Sequence, residues 1–370
     1  MEINDAYDYL IHLIACAIHN EVPKSLPDGV TYEQVLSCAI RHDVAGFAYL
    51  GVLKGLQKPD QETMGKWHQR YLLGIQRHSE QEETRKKLLE ALHLQGIATL
   101  ELQGTRVKRY YPTPDLRMMS DIDIIIQKKD IPASEKVLQA LGYQTVNQNG
   151  YEIDGYSGKQ NIEIHSDFFP EGFSYGKILN EPFRDAVIQD DLTAEVPDTV
   201  FWSYHLLHCL KHYFGPGIGL RRVLDLYFLK DEMEKTTDME YVNTMLSENG
   251  FSDTVKALFA IADDWFGEKG RNGLYEEAVS KIKFAGTHGN LSILIDNEYK
   301  GKKFQKIRYF LSLVFPQKEK IYQSYPYCKE HNYPYVLAWF HRAIRIPFKP
   351  GRMKLLGKYI RNICKAGKSE

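Results

Sequence analysis

The sequence predicts an α+β protein in which a small mixed β-sheet lies between N-terminal and C-terminal helical regions. Apolar residues recur at helical spacing before residue 95, short β-compatible runs are confined to residues 96–192, and helical patterns return after Asp198. At 370 residues the chain exceeds what one hydrophobic core usually serves. We therefore predict four regions, which are residues 1–95, 96–192, 193–299 and 300–370.

The first region is predicted to be helical. Apolar residues at helical spacing over residues 6–18 predict the first helix. Thr31 and Gln34 have the spacing of a capping box and predict the start of a second helix. A charge-rich run over residues 59–94 predicts a long, largely solvated helix, and Gly96 marks its end.

Strands and helices alternate in the central region. The predicted strands are 97–102, 120–127, 143–146, 151–156 and 161–168, and the predicted helices are 106–111 and 132–141. Pro112 and Pro114 stop the first of these helices, and Gly142 stops the second. Beyond Asp198 the predicted helices are 199–214, 220–234, 239–249 and 253–266.

Two aspartates stand one residue apart in a strand that is otherwise isoleucine. Alternate residues of a strand point to the same face, so Asp121 and Asp123 project together. Like charges this close raise each other's pKa unless a cation lies between them, and unpaired buried carboxylates are costly. Because Mg²⁺ prefers oxygen ligands from one or two carboxylates and substrate phosphates, we predict a magnesium site rather than a solvated strand edge.

A second strand carries another polar face. Asn161, Glu163, His165 and Asp167 alternate with apolar neighbours. If the two strands are neighbours, Glu163 meets the aspartate pair. Three carboxylates on adjacent strands can bind two metal ions that clamp the attacking and leaving oxygens of a phosphoryl transfer. His165 would orient a phosphate or hydrogen-bond inside the site.

Gly104 and Thr105 lie where a strand is predicted to turn into a helix. A glycine there lets the backbone approach a ligand, and the first N–H groups of the helix can bind an anion. Arg106, Lys108 and Arg109 add positive charge nearby. An ordinary turn would show the same Gly-Thr pair, so the pair alone does not predict a site.

The segments LQGTRVKRYYPTPDLRMMSDIDIII and NIEIHSDF together resemble the polymerase-beta-like nucleotidyltransferase superfamily. They are similar in particular to a poorly characterised bacterial branch often associated with surface-polysaccharide genes. The resemblance implies a nucleotidyltransferase module at residues 96–192, with the helical domain 193–299 packing on its active site. It also implies that Asp121, Asp123 and Glu163 are both the catalytic residues and the ligands of two magnesium ions, with manganese as an alternative.

The same resemblance implies a set of nucleotide-binding residues. They are Gly104, Thr105, Arg106, Lys108, Arg117, His165, Lys211 and His212. Two positions depart from the pattern, because relatives commonly have Lys where this chain has Gln103, and Ser or Ala at the position of Thr105. Loss of that Lys removes a positive charge from the triphosphate, although Arg106, Lys108 or Lys211 can replace it.

These observations predict a Mg-dependent nucleotidyltransferase. It would transfer a nucleoside monophosphate from a nucleoside triphosphate, ATP among the candidates, to an acceptor hydroxyl with release of pyrophosphate. The acceptor stays open among a sugar, a small metabolite, a protein and an RNA. Because Gln103 and Thr105 depart from the pattern, a catalytically weak nucleotide-binding module is the alternative.

His205, His208 and His212 share one face of a predicted helix, with Cys209 beside them. A zinc site is one interpretation, but the Glu of a His-Glu-x-x-His motif is missing. A packed polar helix face is the second interpretation. The third follows from the resemblance, in which Lys211 and His212 line the nucleotide pocket.

The C-terminal region is strongly basic. Residues 301–370 contain sixteen Lys or Arg against three Asp or Glu, which is a net charge of +13. Because the whole chain has a net charge of −1, the other 300 residues have a net charge of −14. This asymmetry suggests an anionic partner, and a protein that binds RNA or anionic lipid through this region is a further alternative. Five scattered cysteines, no basic secretory leader and no long apolar span predict a cytoplasmic protein without a transmembrane segment.

Overall fold

The computed structural model of the chain describes residues 5–101, 103–148, 151–158, 160–169, 174–267, 275–287, 289–290, 293, 334 and 339. Residues 1–293 form one compact unit and residues 294–370 form another. The predicted basic region 300–370 lies outside the described residues, apart from positions 334 and 339. None of the described helices combines the length and apolar character needed to cross a lipid bilayer.

Four helices form the N-terminal part, namely α1 (Ala6–His19), α2 (Tyr32–Arg41), α3 (Ala45–Lys54) and α4 (Gln61–His93). The predicted capping box of α2 is confirmed, because the Gln34 amide N–H donates to Thr31 Oγ1 and Gln34 Oε1 accepts from the Thr31 N–H. Asp60 caps α4, whose 33 residues are mostly solvated as predicted. Helix α3 was not predicted.

A seven-stranded mixed sheet occupies the centre. Its strands are β1 (Thr99–Glu101), β2 (Asp121–Ile126), β3 (Gln144–Gln148), β4 (Glu152–Tyr156), β5 (Asn161–His165), β6 (Val187–Ile188) and β7 (Thr193–Glu195). Their order across the sheet is β3-β4-β5-β2-β1-β7-β6. The β2–β5 and β1–β7 pairs are parallel and the others are antiparallel. The predicted mixed sheet is confirmed, and β6 and β7 are additional strands.

Gly104 and Thr105 do not form the predicted turn. They lie within a short helix, α5 (Gln103–Val107), which continues into a 3-10 turn at Lys108–Tyr110. Gly104 packs closely against Met119, because a Cβ at this position would lie 2.2 Å from the Met119 methyl carbon. The first turn of α5 thus packs against the segment that leads into β2.

Helices cover the sheet on both faces. On one face, the isoleucines of β2 and β5 pack against Leu88 and Leu92 of α4 and against α6 (Ile131–Ala140). On the other face, Leu100, Ile125 and Ala194 join a larger core with the N-terminal helices. That core also includes helices α7 (Asp198–Phe214), α8 (Leu220–Thr236), α9 (Met239–Glu248), α10 (Ser252–Phe266) and α11 (Glu276–Ala285).

A buried ion pair fixes the segment that leads into β2. Arg117 donates from Nε and Nη2 to the two carboxylate oxygens of Asp225 on α8, at 2.7 and 2.8 Å. The Tyr111 hydroxyl donates to the same carboxylate at 2.7 Å. Asp225 is fully buried, and Arg117 together with its hydrogen bonds lowers the pKa of Asp225 to about 2 against the opposing effect of burial.

Replacing Asp225 by Asn is expected to leave the Arg117 guanidinium buried without a counter-charge. The free energy of unfolding, measured by urea denaturation, should fall by about 3 kcal/mol or more. The matched control is Asp231→Asn, at an exposed position of the same helix, which should change stability by less than about 0.5 kcal/mol. A loss in Asp225→Asn as small as in the control would contradict the structural role of the pair.

Candidate active site

The register of two parallel strands brings the predicted carboxylates together. In the β2–β5 pair Asp121 lies opposite Asn161, and Asp123 lies opposite Glu163. Residues opposite each other in a ladder point to the same face. The prediction that the two acidic strands are neighbours is therefore confirmed, and Asp123 and Glu163 stand side by side.

His165 lies within the same cluster. Its Nε2 is 3.7 Å from Asp123 Oδ1 and 3.7 Å from Glu163 Oε2, and its Nδ1 is 3.6 Å from Glu152 Oε2 on β4. One ligand atom each from Asp123, Glu163 and His165 lies within 4.8 Å of the others, which is a spacing that can hold a metal ion. Asp121 is outside this group of three, and the Ser120 hydroxyl donates to its carboxylate at 3.1 Å.

Crowding of the carboxylates perturbs their ionisation. Burial, followed by the charge of Asp123, raises the pKa of Asp121 above its usual value. Burial and the charges of Asp123 and Asp121 raise the pKa of Glu163 to about 7. Burial opposes the charged form of His165, but its ion pairs with Asp123 and Glu152 outweigh this effect and raise its pKa to about 10. The cluster is thus short of positive charge and suited to a cation.

Helices α7 and α8 supply positive charge beside this cluster. Burial and then the charge of Arg222 lower the pKa of Lys211, whereas Asp123, Glu152 and Glu163 act in the opposite direction. Among the described residues, no carboxylate lies within ion-pair distance of the Lys211 ammonium. The Lys211 charge is therefore close enough to the acidic cluster to interact with it but is not neutralised by direct contact.

His212 and its neighbour His208 lie next to this lysine. Their Nε2 atoms are 3.3 Å apart, and Arg222 lies 3.5 Å from His208 Nδ1. Burial and the Arg222 charge lower the pKa of His212 to about 3 and that of His208 well below its usual value. His205 is buried edge-on to Trp202. The described part of the chain contains no three-ligand metal group on this face, so nothing supports the zinc interpretation.

The other cations assigned by resemblance have partners within the protein. Arg106 pairs with Asp198 and lies 4.0 Å from the centre of the Phe201 ring. Lys108 is buried and pairs with Glu82 of α4 at 2.5 Å, and Arg117 pairs with Asp225. Thr105 is buried, and the side chain of Gln103 lies outside the described residues. The nucleotide-binding roles of these residues stay predictions.

Sequence reasoning missed two contributors to the site. Glu152 lies opposite His165 in the antiparallel β4–β5 pair, and Arg222 extends from α8 to His208. Glu152 carries a usable signal, because it alternates with Asp154 on a predicted strand of a hairpin. Arg222 carries no such signal, since only the packing of α8 against α7 brings it to the site.

A family profile described as "Uncharacterised nucleotidyltransferase" matches residues 28–267, more than half of the chain. The chain belongs to this nucleotidyltransferase family. The matched residues of this nucleotidyltransferase include the carboxylates of β2 and β5 and the basic residues of α7 and α8. Family membership supports nucleotidyl transfer as the reaction class.

The chain is similar to a solved structure, the solution structure of the antibiotic-resistance factor ANT(2″)-Ia. It is 11% identical to this chain and aligns with a TM-score of 0.35 over 49% of this chain and 95% of its own. No curated protein matched the chain.

Glu163→Gln is expected to stabilise the metal-free protein at alkaline pH. Glu163 ionises near pH 4.5 in the unfolded chain but near pH 7 in the folded protein, so its ionisation destabilises the folded state. This destabilisation is absent below about pH 4.5, grows as the pH rises, and is complete above about pH 7. In thermal unfolding without metal, the variant should exceed the wild type in Tm at pH 8, and the difference should vanish near pH 4. Added Mg²⁺ should raise the Tm of the wild type more than that of the variant.

The matched control is Glu195→Gln, at an exposed position of β7 in the same sheet, whose Tm should match that of the wild type at pH 8 and pH 4 and rise equally with Mg²⁺. Equal Tm values for Glu163→Gln and the wild type at pH 8, with equal responses to Mg²⁺, would contradict the proposed crowding of negative charge.

Proposed function

We propose that this chain is a metal-dependent nucleotidyltransferase that transfers a nucleoside monophosphate from a nucleoside triphosphate to an acceptor hydroxyl and releases pyrophosphate. The observation that carries the proposal is the group of ligand atoms that β2 and β5 bring together from Asp123, Glu163 and His165, with the charge of Lys211 acting on the same carboxylates. A divalent cation chelated by phosphates complements this arrangement, because the cation meets the carboxylates and the phosphates meet the lysine.

Two magnesium ions, or manganese in their place, would be held by Asp121, Asp123 and Glu163. The donor set fits, because carboxylate oxygens are the ligands that Mg²⁺ prefers, and burial with mutual repulsion raises the pKa of Asp121 and of Glu163. When bound, such ions lower the pKa of an attacking hydroxyl and stabilise charge on leaving phosphate oxygens. His165, held between Asp123 and Glu152, orients the Asp123 and Glu163 carboxylates.

The protein's own groups provide the remaining chemistry. Glu163, with a pKa near 7, accepts the proton of the acceptor hydroxyl as the oxygen attacks the α-phosphorus. Lys211 and His212 donate hydrogen bonds to the triphosphate from the helical side. By resemblance, Gly104 and Thr105 would contact it from α5, which packs against Met119, two residues before Asp121.

Arg117 positions the strand that carries the aspartates through its ion pair with Asp225, and does not itself contact the substrate in this proposal. Its ion pair with Asp225 connects the segment before β2 to α8, the helix that carries Arg222. Arg106 and Lys108 already pair with carboxylates, so any contact they make with phosphate requires exchange of those partners. This favours Lys211 as the cation that replaces the lysine missing at Gln103.

Incubating the purified protein with each α-³²P-labelled nucleoside triphosphate, Mg²⁺ and a cell extract tests the proposal. Wild type should release pyrophosphate and transfer label, and Asp123→Asn should lower turnover by about 100-fold or more because the metal-binding carboxylate is lost. The control is Asp253→Asn, at an exposed position of α10, which should keep full turnover. Undiminished turnover in Asp123→Asn would refute the assignment.

Calorimetry on the same proteins separates catalysis from binding alone. Lys211→Ala should weaken nucleoside triphosphate affinity about tenfold, which is about 1.4 kcal/mol, and should not weaken Mn²⁺ affinity, because the metal ligands are kept. Lys256→Ala, at an exposed position of α10, is the control. Tight binding of the nucleotide by wild type without any pyrophosphate release would favour the nucleotide-binding module over the enzyme.

A further inference from the structure

The sheet face that carries the carboxylates continues beyond them onto β4 and β3. Across the strands, Glu163 lies opposite Asp154, and Asp154 lies opposite Val146. One step along, Asn161 lies opposite Tyr156, and Tyr156 lies opposite Gln144. These pairs all point to the side of the sheet that Asp123 and Glu163 occupy.

The two halves of this face differ in what covers them. Ile125, Leu100 and Ala194, on β2, β1 and β7, are buried in the helical core. On the other half, Tyr156 is 45% exposed and Val146 is 48% exposed, and Gln144 and Asn161 are exposed as well. The carboxylate cluster therefore lies at the boundary between a covered half and an open half of one sheet face.

We define the open face as Gln144, Val146, Asp154, Tyr156 and Asn161. It combines one exposed aromatic ring with two amides and a carboxylate. The three strands that form it contain no Lys or Arg. Burial and the charge of the neighbouring Asp154 raise the pKa of Tyr156, so its hydroxyl stays protonated at neutral pH.

We propose that the open face binds the acceptor and that the acceptor is an uncharged polyhydroxyl ring compound, chemically a saccharide. This inference rests on the proposed function, because Glu163 is the group that takes the acceptor's proton. The acceptor hydroxyl must reach Glu163, and the open face borders Glu163 directly through Asp154. The helix-covered half of the sheet offers no such approach among the described residues.

The side chains of the open face match this chemistry. The Tyr156 ring offers a flat apolar surface to the C–H face of a sugar, and its hydroxyl and the amides of Asn161 and Gln144 both donate and accept hydrogen bonds. Asp154 accepts from sugar hydroxyls. An RNA acceptor fits poorly, because phosphate backbones are bound mainly by Lys and Arg, which these strands lack.

The reaction is balanced without a further reactant. A sugar oxygen forms a bond to the α-phosphorus, its proton passes to Glu163, and the bond from the α-phosphorus to the bridging oxygen breaks. Pyrophosphate leaves with that oxygen and the electron pair of the broken bond. Solvent then removes the proton from Glu163.

The test uses the full-length protein, the nucleoside triphosphate selected by the pyrophosphate assay, Mg²⁺, and extract separated into carbohydrate, RNA and protein fractions. Label from the α-phosphate should enter the carbohydrate fraction, and periodate oxidation of that fraction before the reaction should remove the signal. Tyr156→Ala should raise the amount of carbohydrate fraction needed for half-maximal labelling about tenfold. The affinity of the Tyr156→Ala variant for the Mg-nucleotide, measured by calorimetry, should match that of the wild type.

Two further variants separate stacking from a general effect on folding. Tyr156→Phe keeps the ring and loses only the hydroxyl, so it should raise the amount of carbohydrate fraction needed for half-maximal labelling by less than Tyr156→Ala does, about threefold. Tyr241→Ala removes a similarly exposed tyrosine from α9 and should change nothing. A loss in Tyr156→Phe as large as in Tyr156→Ala would overturn the stacking role of the ring.

The remaining outcomes distinguish this inference from the function on which it rests. Label in the RNA or protein fraction, or carbohydrate labelling that Tyr156→Ala leaves unchanged, would overturn the inference and leave the nucleotidyltransferase intact. Pyrophosphate release with transfer to water alone would also overturn the inference, and it would count against the proposed function, because the protein would then hydrolyse the nucleotide instead of transferring it. Absence of nucleotide turnover with every fraction would count against the proposed function itself, and the inference would fall with it.

Discussion

The parallel pairing of β2 with β5 is the constraint on which the site depends. The register sets Asp123 beside Glu163 and at the same time directs Ile122, Ile124, Ile162 and Ile164 into the core shared with α4 and α6. Because side chains alternate with a period of two, a slip of one residue would bury the carboxylates of one strand and expose its isoleucines. The hydrophobic core of the sheet therefore enforces the geometry of the acidic cluster.

Contacts from two directions fix the segment before β2. From α4, Gln81 donates to the Met119 carbonyl at 2.9 Å, and from α8, Arg221 donates to the Met118 carbonyl at 2.6 Å. The Arg117–Asp225 pair adds a buried charge contact to α8. The helical regions thus support the acidic strand as well as supplying the basic groups beside it. This arrangement offsets the mutual repulsion of carboxylates that the fold holds together.

The sheet face also organises the proposed substrates. Beside the carboxylates, Lys211 of α7 and Arg222 of α8 supply positive charge that suits phosphates. On the other side, Asp154, Tyr156 and Asn161 of the open face suit hydroxyl groups. Reacting groups held on the two sides would meet at Asp123 and Glu163. Most of the rate enhancement of such a site comes from positioning and from electrostatic stabilisation of developing charge.

Local signals in the sequence were enough to predict much of this structure. The alternation of Asp121 and Asp123 with isoleucine predicted β2, the capping box predicted α2, and the long charged run predicted α4. Helix α3 was not predicted, and its Gly51 is needed for packing, because a Cβ there would lie 2.2 Å from the Leu13 carbonyl oxygen. Strand β6 is only Val187 and Ile188, too short to show a period.

The site was only partly predictable for a related physical reason. Asp123 and Glu163 could be predicted as site residues because strand periodicity is a local signal, and because carboxylates on neighbouring strands are typical of a metal site. The ion-pair partners of Lys108 and Arg117 could not be predicted, because Glu82 and Asp225 are brought to them by packing between distant parts of the chain. Gly104 of α5 likewise packs against Met119, fifteen positions away. Contacts of this kind leave no periodic trace in the sequence.

The most direct test of the account is the position of a bound metal ion. Crystals of the protein soaked with Mn²⁺ and a non-hydrolysable nucleoside triphosphate analogue can be measured at the manganese absorption edge. The account predicts an anomalous peak within about 2.2 Å of carboxylate oxygens of both Asp123 and Glu163, with the triphosphate between that peak and Lys211. Manganese bound elsewhere, with this carboxylate cluster empty in the same crystal, would contradict it.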